Sequence, residues 1–277
     1  MAIRAHGHEC QITQLGASGD DVFHLLANVA ERNARLRETA DEFDATAYGS
    51  GLSAYTYSNG LKSWELSFEG LFPASGRKAG SDGGNVTFAS GYTTYVRSWD
   101  MRLEAAVKEG TVYTGAAVSW RHFEPGLVRA SGSYECIADK SGAVSAVTAS
   151  GAAAASATFK LTEEGGTDNE LTCNIRTTAR EIVGDLGDFV IVRYDYTVNG
   201  AVTVVGSTNF LPSGAVGIPD WDANADGTAD VQGVFQIASG RTFTGNVFWK
   251  SIGLNVPIGG LITLAVDLQG TGALTLA

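Results

Sequence analysis

The sequence predicts a mainly β protein built from two tandem β-sandwich or barrel units, at least one with a flanking α-helix. Three observations lead there. The second half repeats the first at a constant shift. Trp64-Glu65-Leu66-Ser67-Phe68-Glu69-Gly70 aligns with Tyr194-Asp195-Tyr196-Thr197-Val198-Asn199-Gly200. Tyr113-Thr114-Gly115 aligns with Phe243-Thr244-Gly245, and Gly142-Ala143-Val144 with Gly272-Ala273-Leu274, so 64 meets 194, 113 meets 243 and 142 meets 272, a shift of 130 each time. Short segments alternate apolar and polar residues between turn signals, as half-buried strands do. Finally, 35 glycines in 277 residues supply many tight turns. The first unit is expected over residues 1–150 and the second over 151–277, each near the common domain size of about 100–150 residues.

Taken in order, residues 20–37 carry the clearest helix signal. Asp20 and Asp21 offer an N-cap and an acidic first turn. Val22, Leu25, Leu26, Val29, Ala30 and Leu36 fall on one face at helical spacing, and Arg32, Arg35 and Arg37 crowd the C-terminal end, where cations complement the dipole. Residues 39–60 are polar and turn-rich and read as an extended loop or a hairpin arm. Residues 63–68 alternate Trp64, Leu66 and Phe68 with Ser63, Glu65 and Ser67, a strand pattern. The Gly- and Ser-rich stretch 75–85 is expected to be a turn. Further strands are expected at 92–107, 112–122, 127–138 and 144–149. Residues 151–156, with alanines at 152–155, form the expected connection between units, a short helix being the alternative.

In the second unit, strands are expected at 158–162, 171–177, 189–198, 202–207, 233–237, 242–250 and 261–268. Several are rich in β-branched residues, such as Val190-Ile191-Val192. Residues 219–231 form a long acidic insert. No second helix as clear as 20–37 is evident.

Composition narrows the function classes. Apolar residues make up 44 %, enough for a packed core, while charged residues are only 18 % against a usual value of about 25 %. A surface low in charge suits faces covered by partners. The net charge is −11, with no cluster of Lys and Arg, which argues against wrapping nucleic acid or holding an anionic membrane. Cys10, Cys136 and Cys173 are odd in number and lack C-x-x-C spacing, so reduced, packed thiols are expected. The opening MAIRAHGHECQITQLG has no apolar run, so no secretory signal is expected, and no segment approaches 18 apolar residues, so no membrane span is expected.

One segment has a metal-ligand pattern. Asp222, Asn224, Asp226, Thr228 and Asp230 fall at the alternating places of a calcium loop, with Gly227 at the sharp turn. Gly233 stands where the bidentate Glu belongs, so an unliganded Asx-turn loop is the competing reading. His6, His8 and Cys10 could share one side of a strand and accept a transition metal, though a terminal His pair is more often incidental. His24 and His122 read as packing or surface residues. Glu163-Glu164 and Asp41-Glu42 lie in turn-like segments and read as solvated carboxylates, not an acid–base pair. There is no P-loop, G-x-S-x-G elbow or H-E-x-x-H. Trp64, Trp99, Trp120 and Trp249 fall in expected strands and read as core, while Trp221 lies in a loop. No catalytic residue and no cofactor other than possible Ca2+ is expected.

The stretch Asp44-Ala45-Thr46-Ala47-Tyr48-Gly49, followed by Asn59-Gly60-Leu61-Lys62-Ser63-Trp64-Glu65-Leu66-Ser67-Phe68-Glu69-Gly70, resembles the major tail tube proteins of long-tailed, non-contractile bacteriophages. So do the aromatic–x–Gly strings Tyr113-Thr114-Gly115 and Phe243-Thr244-Gly245, and the closing Gln269-Gly270-Thr271-Gly272-Ala273-Leu274. The resemblance spans much of the first unit and the last third of the second. It implies tail-tube-like β-sandwich units with a flanking helix, inner strands joined across subunits into a continuous barrel, and a long loop reaching the neighbouring ring, for which 43–60 is the candidate. Many members are single units forming hexameric rings; a tandem chain reaches a pseudo-sixfold ring as a homotrimer.

The resulting expectation is a non-enzymatic structural virion protein, assembled in the host bacterial cytoplasm, whose stacked rings form a conduit for DNA ejection. Its partners are itself and other tail proteins; DNA passes without specific binding, and no membrane is involved. Excess carboxylates are expected toward the lumen, where they repel phosphates. The alternative is a two-domain β-sandwich module for glycan- or calcium-dependent adhesion, with Trp221 beside the acidic loop as its best feature.

Overall fold

The computed structural model describes residues 11–15, 30–44, 57–71, 86–88, 96–111, 120–137, 154–164, 167–184, 189–205, 231–238, 241–257 and 262–277. Among these the regular structure is all strand: β1 Gln11–Leu15, β2 Ala30–Asp44, β3 Tyr57–Leu71, β4 Val86–Phe88, β5 Val96–Glu109, β6 Phe123–Ile137, β7 Ala155–Glu164, β8 Thr167–Val183, β9 Ile191–Val205, β10 Val231–Ala238, β11 Arg241–Pro257 and β12 Thr263–Leu276. They form one open antiparallel sheet in the order β2-β3-β12-β11-β5-β6-β9-β8-β7-β4. β11 has β12 on one side. On the other it pairs with β10 along its first half and β5 along its second, and β1 lies beyond β10.

The pairings have an internal regularity. Adding six to each strand number, counted cyclically through the twelve, carries β2–β3 onto β8–β9, β5–β6 onto β11–β12, β3–β12 onto β9–β6 and β1–β10 onto β7–β4. β5–β11 maps onto itself, while β10–β11 and β7–β8 have no image among the described pairings. The Trp64–Gly70 segment lies in β3 and its aligned partner Tyr194–Gly200 in β9, so this sequence match and the pairing map agree. Tyr113–Gly115 and Gly142–Val144 lie outside the described residues.

Period-two patterning places the core on one face. Trp64 and Leu66 of β3, Trp99, Met101 and Leu103 of β5, Tyr194 and Tyr196 of β9, and Leu264, Val266 and Leu268 of β12 are all buried. Phe159 of β7 packs on Trp99 of β5 with ring centroids 5.3 Å apart, although three strands separate them in the order. Phe159 also stacks on Tyr196 at 5.2 Å. The sheet therefore curls over its apolar face and encloses the aromatic residues, as the twist of long strands favours.

The structure corrects several expectations. Residues 30–37, read as the end of a helix, are the first half of β2, paired with β3 from Ala30↔Leu71 to Arg37↔Glu65. Leu36 sits opposite Leu66 and packs on the core. That contact serves a strand as well as it would a helix, and β3 supplies the backbone partners. The rest of the expected helix, 20–29, lies outside the described residues. Of 39–60, the described ends are strand and pair out to Asp44↔Tyr57, so the hairpin arm is the correct alternative. The strands expected at 189–198 and 202–207 are one, β9. Gly200 carries it past a bulge at φ 97°, between Val198↔Ile175 and Val202↔Cys173. β1 was not anticipated. The stretches 75–85 and 144–149, most of 112–122 and the insert 219–230 lie outside the described residues.

Two close approaches fix how the aromatic side chains lie. The Trp64 indole extends from β3 across β12 and over β11, and its Nε1 donates to the Gly272 carbonyl at 3.2 Å. A Cβ on Gly270 or Gly245 would strike the indole. Likewise Tyr196 of β9 crosses β6 at Gly132, where its hydroxyl donates to the Asp100 carbonyl of β5 at 2.9 Å; a Cβ on Gly132 would strike both groups. Gly270→Ala should lower stability by about 3 kcal/mol through overpacking, and pairing it with Trp64→Phe should return part of that loss. Urea denaturation of the four members of this cycle checks it; equal costs in both backgrounds would exclude the contact as the cause.

Two thiols lie inside the core. Burial pushes Cys136 up to about 11 and Cys173 up to about 12, and it raises Tyr134 and Tyr196 in the same direction. Each folded value lies above its unfolded one, so this stability is complete below the unfolded thiol value of about 8.5 and fades as pH climbs through the folded values. The urea midpoint should therefore stay flat to about pH 8.5 and fall beyond it. Cys136 and Cys173 should ignore Ellman's reagent at pH 8 until the chain is unfolded.

Candidate assembly rims and the polar face

The face away from the core is polar. Along it the cross-strand register sets opposite charges side by side: Arg37 opposite Glu65, Glu104 opposite Arg129, and Arg193 between Glu135 and Glu181. The Lys250 ammonium donates to Glu65 at 2.8 Å, and Arg129 Nε to Glu104 at 2.7 Å. Arg102 also reaches Glu104, at 3.0 Å. Small residues (Ser67, Ala265, Gly253 and Ser251) open a trough of 490 Å³ in this face between Arg35 and Arg102. Such pairs are individually weak, each about 0.2–1 kcal/mol, but they leave the face nearly balanced in sign.

Two hairpins bound the eight-strand run from β2 to β8. β2 ends the order on one side and shows Arg35, Arg37, Glu38 and Glu42 to solvent, with Glu38 paired to Lys62 of β3 at 3.1 Å. On the other side, β7 covers β8 only as far as Ile175, and residues 176–183 continue as the rim, with Arg176, Arg180 and Glu181 exposed. The same hairpin exposes apolar groups near its tip: Ile182 at 60 % and Phe189 at 66 %, with Val183 and Val190 beside them.

The β2 rim is pinned from below. Arg121, just before β6, donates to Asp41 of β2 at 2.6 Å and to Glu109 of β5 at 2.9 Å. Its backbone N–H donates to the Lys62 carbonyl, and its own carbonyl accepts from Gly272 of β12. The Asp41 hydrogen bond heads the causes that raise the guanidinium's pKa, so it stays charged at any working pH. Beside it, Lys62 lies over the Trp120 ring at 5.3 Å. Thr271 Oγ1 accepts from the Phe123 N–H and meets His122 Nδ1 at 2.9 Å. A short strap, 120–123, thus joins β2, β3 and β12.

The sequence-derived sites divide accordingly. Asp222, Asn224, Asp226, Thr228 and Asp230 lie outside the described residues, as do Trp221, His6, His8, Cys10 and His24. Among the described residues no three His, Cys, Asp or Glu side chains gather as metal ligands, and no helix is long and apolar enough to cross a membrane. Asp41, read as a solvated turn carboxylate, is the Arg121 partner. Trp64 and Trp99 are core, as expected, and Trp120 packs against it. Sequence reasoning passed over Arg121, Arg176 and Arg180. The only available signal was the scarcity of cations, 19 in the chain, which makes each one's placement informative.

No protein-family model matches the chain, and no curated protein matches it.

Replacing Arg121 by Met should cost at most about 1 kcal/mol in global stability, because both ion pairs are partly exposed. Its larger effect should be local: faster amide hydrogen exchange at residues 38–42, measured against unchanged exchange in β9. Uniform change along the chain would count against a local strap.

Proposed function

We propose that this chain is a structural virion protein, the repeated subunit of a phage tail tube, working as a homotrimer of duplicated β-units in rings stacked around a DNA conduit. The observation that carries this reading is the eight-strand antiparallel run ending in two open rims, β2 and residues 176–183 of β8. Further support comes from the recurrence of the pairings under a shift of six strands, which fits two copies of one unit divided near residue 150, and from the motifs that resemble tail tube proteins.

The first and eighth strands of an antiparallel series run in opposite directions. A copy placed beside the β8 rim therefore brings its β2 alongside in antiparallel sense, and the row of backbone donors and acceptors continues across the junction. Both rims carry exposed charges of both signs, Arg35, Arg37, Glu38 and Glu42 on one and Arg176, Arg180 and Glu181 on the other. Three copies contribute about 24 strands, which at the usual strand spacing and tilt close into a barrel on the order of 45 Å across. That is wider than a DNA duplex. The polar face lines the conduit, with Arg102, Arg129, Arg193 and Lys250 engaged by neighbouring carboxylates. Phosphates then find no free cationic cluster to hold them, and the strand slides. Nothing in this role calls for a catalytic group.

Negative-stain microscopy of the concentrated protein should reveal rings and stacked tubes; a monomer at every concentration would refute the reading. Arg176→Glu with Arg180→Glu should raise the concentration needed for ring formation about tenfold, since rim charges mainly guide association.

A further inference from the structure

Strand register shows on which side of the sheet each rim residue lies. In β8, Arg180 stands opposite Tyr194 and Ile182 opposite Val192. Both partners are buried in the core, so Arg180 and Ile182 lie on the core side of the sheet. Yet Ile182 is 60 % exposed, and no described strand pairs with this end of β8 beyond β9. Glu181, opposite Arg193, lies on the polar side. In β2, Leu36 stands opposite Leu66 and Glu38 opposite Trp64, which places both on the core side, while Arg37, opposite Glu65, lies on the polar side. Glu65 is engaged by Lys250 and Arg193 by Asp195. Among the described residues Arg37, Arg180 and Glu181 make no ion pair. Each rim thus carries a core-side apolar residue, a core-side charge and a polar-side charge on three consecutive positions, and the signs are opposite on the two rims.

We infer that a second copy seats its β2 against residues 179–183 of β8 in one antiparallel register, with Glu38 opposite Arg180, Arg37 opposite Glu181 and Leu36 opposite Ile182. This register rests on the proposed meeting of the rims and names the residues that fix it. β2 runs without a bulge from Asn33 to Ala40, and β8 from Ala179 to Val183, so the pairing is regular over this span. Copies related by rotation about one axis keep their core sides together. Core-side residues of one strand then stand opposite core-side residues of the other, and the register can shift only in steps of two. One such step keeps an ion pair, Glu181 with Arg35, but sets Arg180 opposite Leu36. The step the other way sets Ile182 opposite Glu38 and Val183 opposite Arg37. Of these registers only the first matches charge with charge and apolar with apolar at three consecutive positions. Each match contributes about 0.2–1 kcal/mol, enough together to choose among registers while the backbone ladder holds the strands. Within one chain β2 and β8 lie at opposite ends of the run and do not pair, so the occupant is another copy. Glu38, which already accepts from Lys62, has acceptor capacity for a second cation.

Cross-linking reads the register directly. Chains bearing Arg37→Cys or Glu181→Cys, each with Cys10→Ser and a different affinity tag, are mixed at high concentration, oxidised and run on a non-reducing denaturing gel. Both sites are exposed on the polar side, so neither change disturbs the core. Residues directly opposite have Cβ atoms about 4.5–5.5 Å apart, and diagonal neighbours about 7 Å. The mixed-tag dimer should therefore form about fivefold faster, or more, than with Arg35→Cys or Thr39→Cys in place of Arg37→Cys. Opposed pairs alternate between wide and narrow spacing, so Glu38→Cys with Arg180→Cys repeats the measurement at the adjacent position, and one of the two is the narrow pair. Equal or faster linking through Arg35→Cys or Thr39→Cys, or no mixed-tag dimer from any pair, would overturn the register. Rings seen by microscopy without the 37–181 or 38–180 link leave the tube reading standing and remove this register. Those links in open strings of copies, with no rings, keep the register and remove the tube.

Discussion

β3 cannot complete its second edge until β12, about 200 residues later, has been made. Nor can β6 complete its own until β9 follows it. The middle of the sheet, β5 against β11, likewise joins the two halves. Several buried aromatic contacts depend on these joints. Trp64 has nothing to lie on until Gly270 and Gly245 arrive, and Tyr196 has no acceptor until Asp100 is beside β6. The local hairpins β2–β3, β5–β6, β8–β9 and β11–β12 can form early, but a two-stranded hairpin is marginal alone in water. Long-range pairing of this kind makes folding slow and leaves strand edges open in the meantime.

The glycines are better understood from this geometry than from turn formation. Thirty-five of them in one chain suggest abundant turns. Yet Gly132, Gly245 and Gly270 lie inside strands, where glycine normally weakens pairing. Each makes room for an aromatic ring that crosses its strand. The ring covers backbone that would otherwise be bare and ties three strands together. The loss of strand propensity, about 1 kcal/mol or less per site, is offset by burial of an indole or phenol.

Alternation made most strands legible. β3, β5, β6, β7 and β10 carry clear period-two patterns, and their partners give each buried residue a neighbour on the same face. β2 was misread because Ala30 and Leu36 satisfy a helical period as well as a strand's, and residues 35–42 show mostly polar side chains. What decides between the two is β3, an adjacent strand with an edge to fill, and no local pattern records that. The rims were hidden for a similar reason. Whether a strand lies at a boundary depends on the order of all the others, so Arg176 and Arg180 look like ordinary outward residues until β7 is seen to stop at Ile175. Arg121 was invisible because its partners, Asp41 and Glu109, are separated from it in sequence and meet only through the sheet.

A net charge of −11 suggested a wall of carboxylates, but the cross-strand rows of the polar face pair acids with bases almost one for one. For the proposed role, in which a polyanion moves over this face, pairing serves better than a large excess of one sign. Unpaired carboxylates at high density would repel one another and strain the sheet that carries them. Unpaired arginines would hold phosphates and stop the movement. Arg129 held by Glu104, and Lys250 held by Glu65, present a polar, hydrated surface with neither fault. The β2 rim follows the same rule, with Arg35 and Arg37 exposed beside Glu38 and Glu42 and Lys62 held by Glu38.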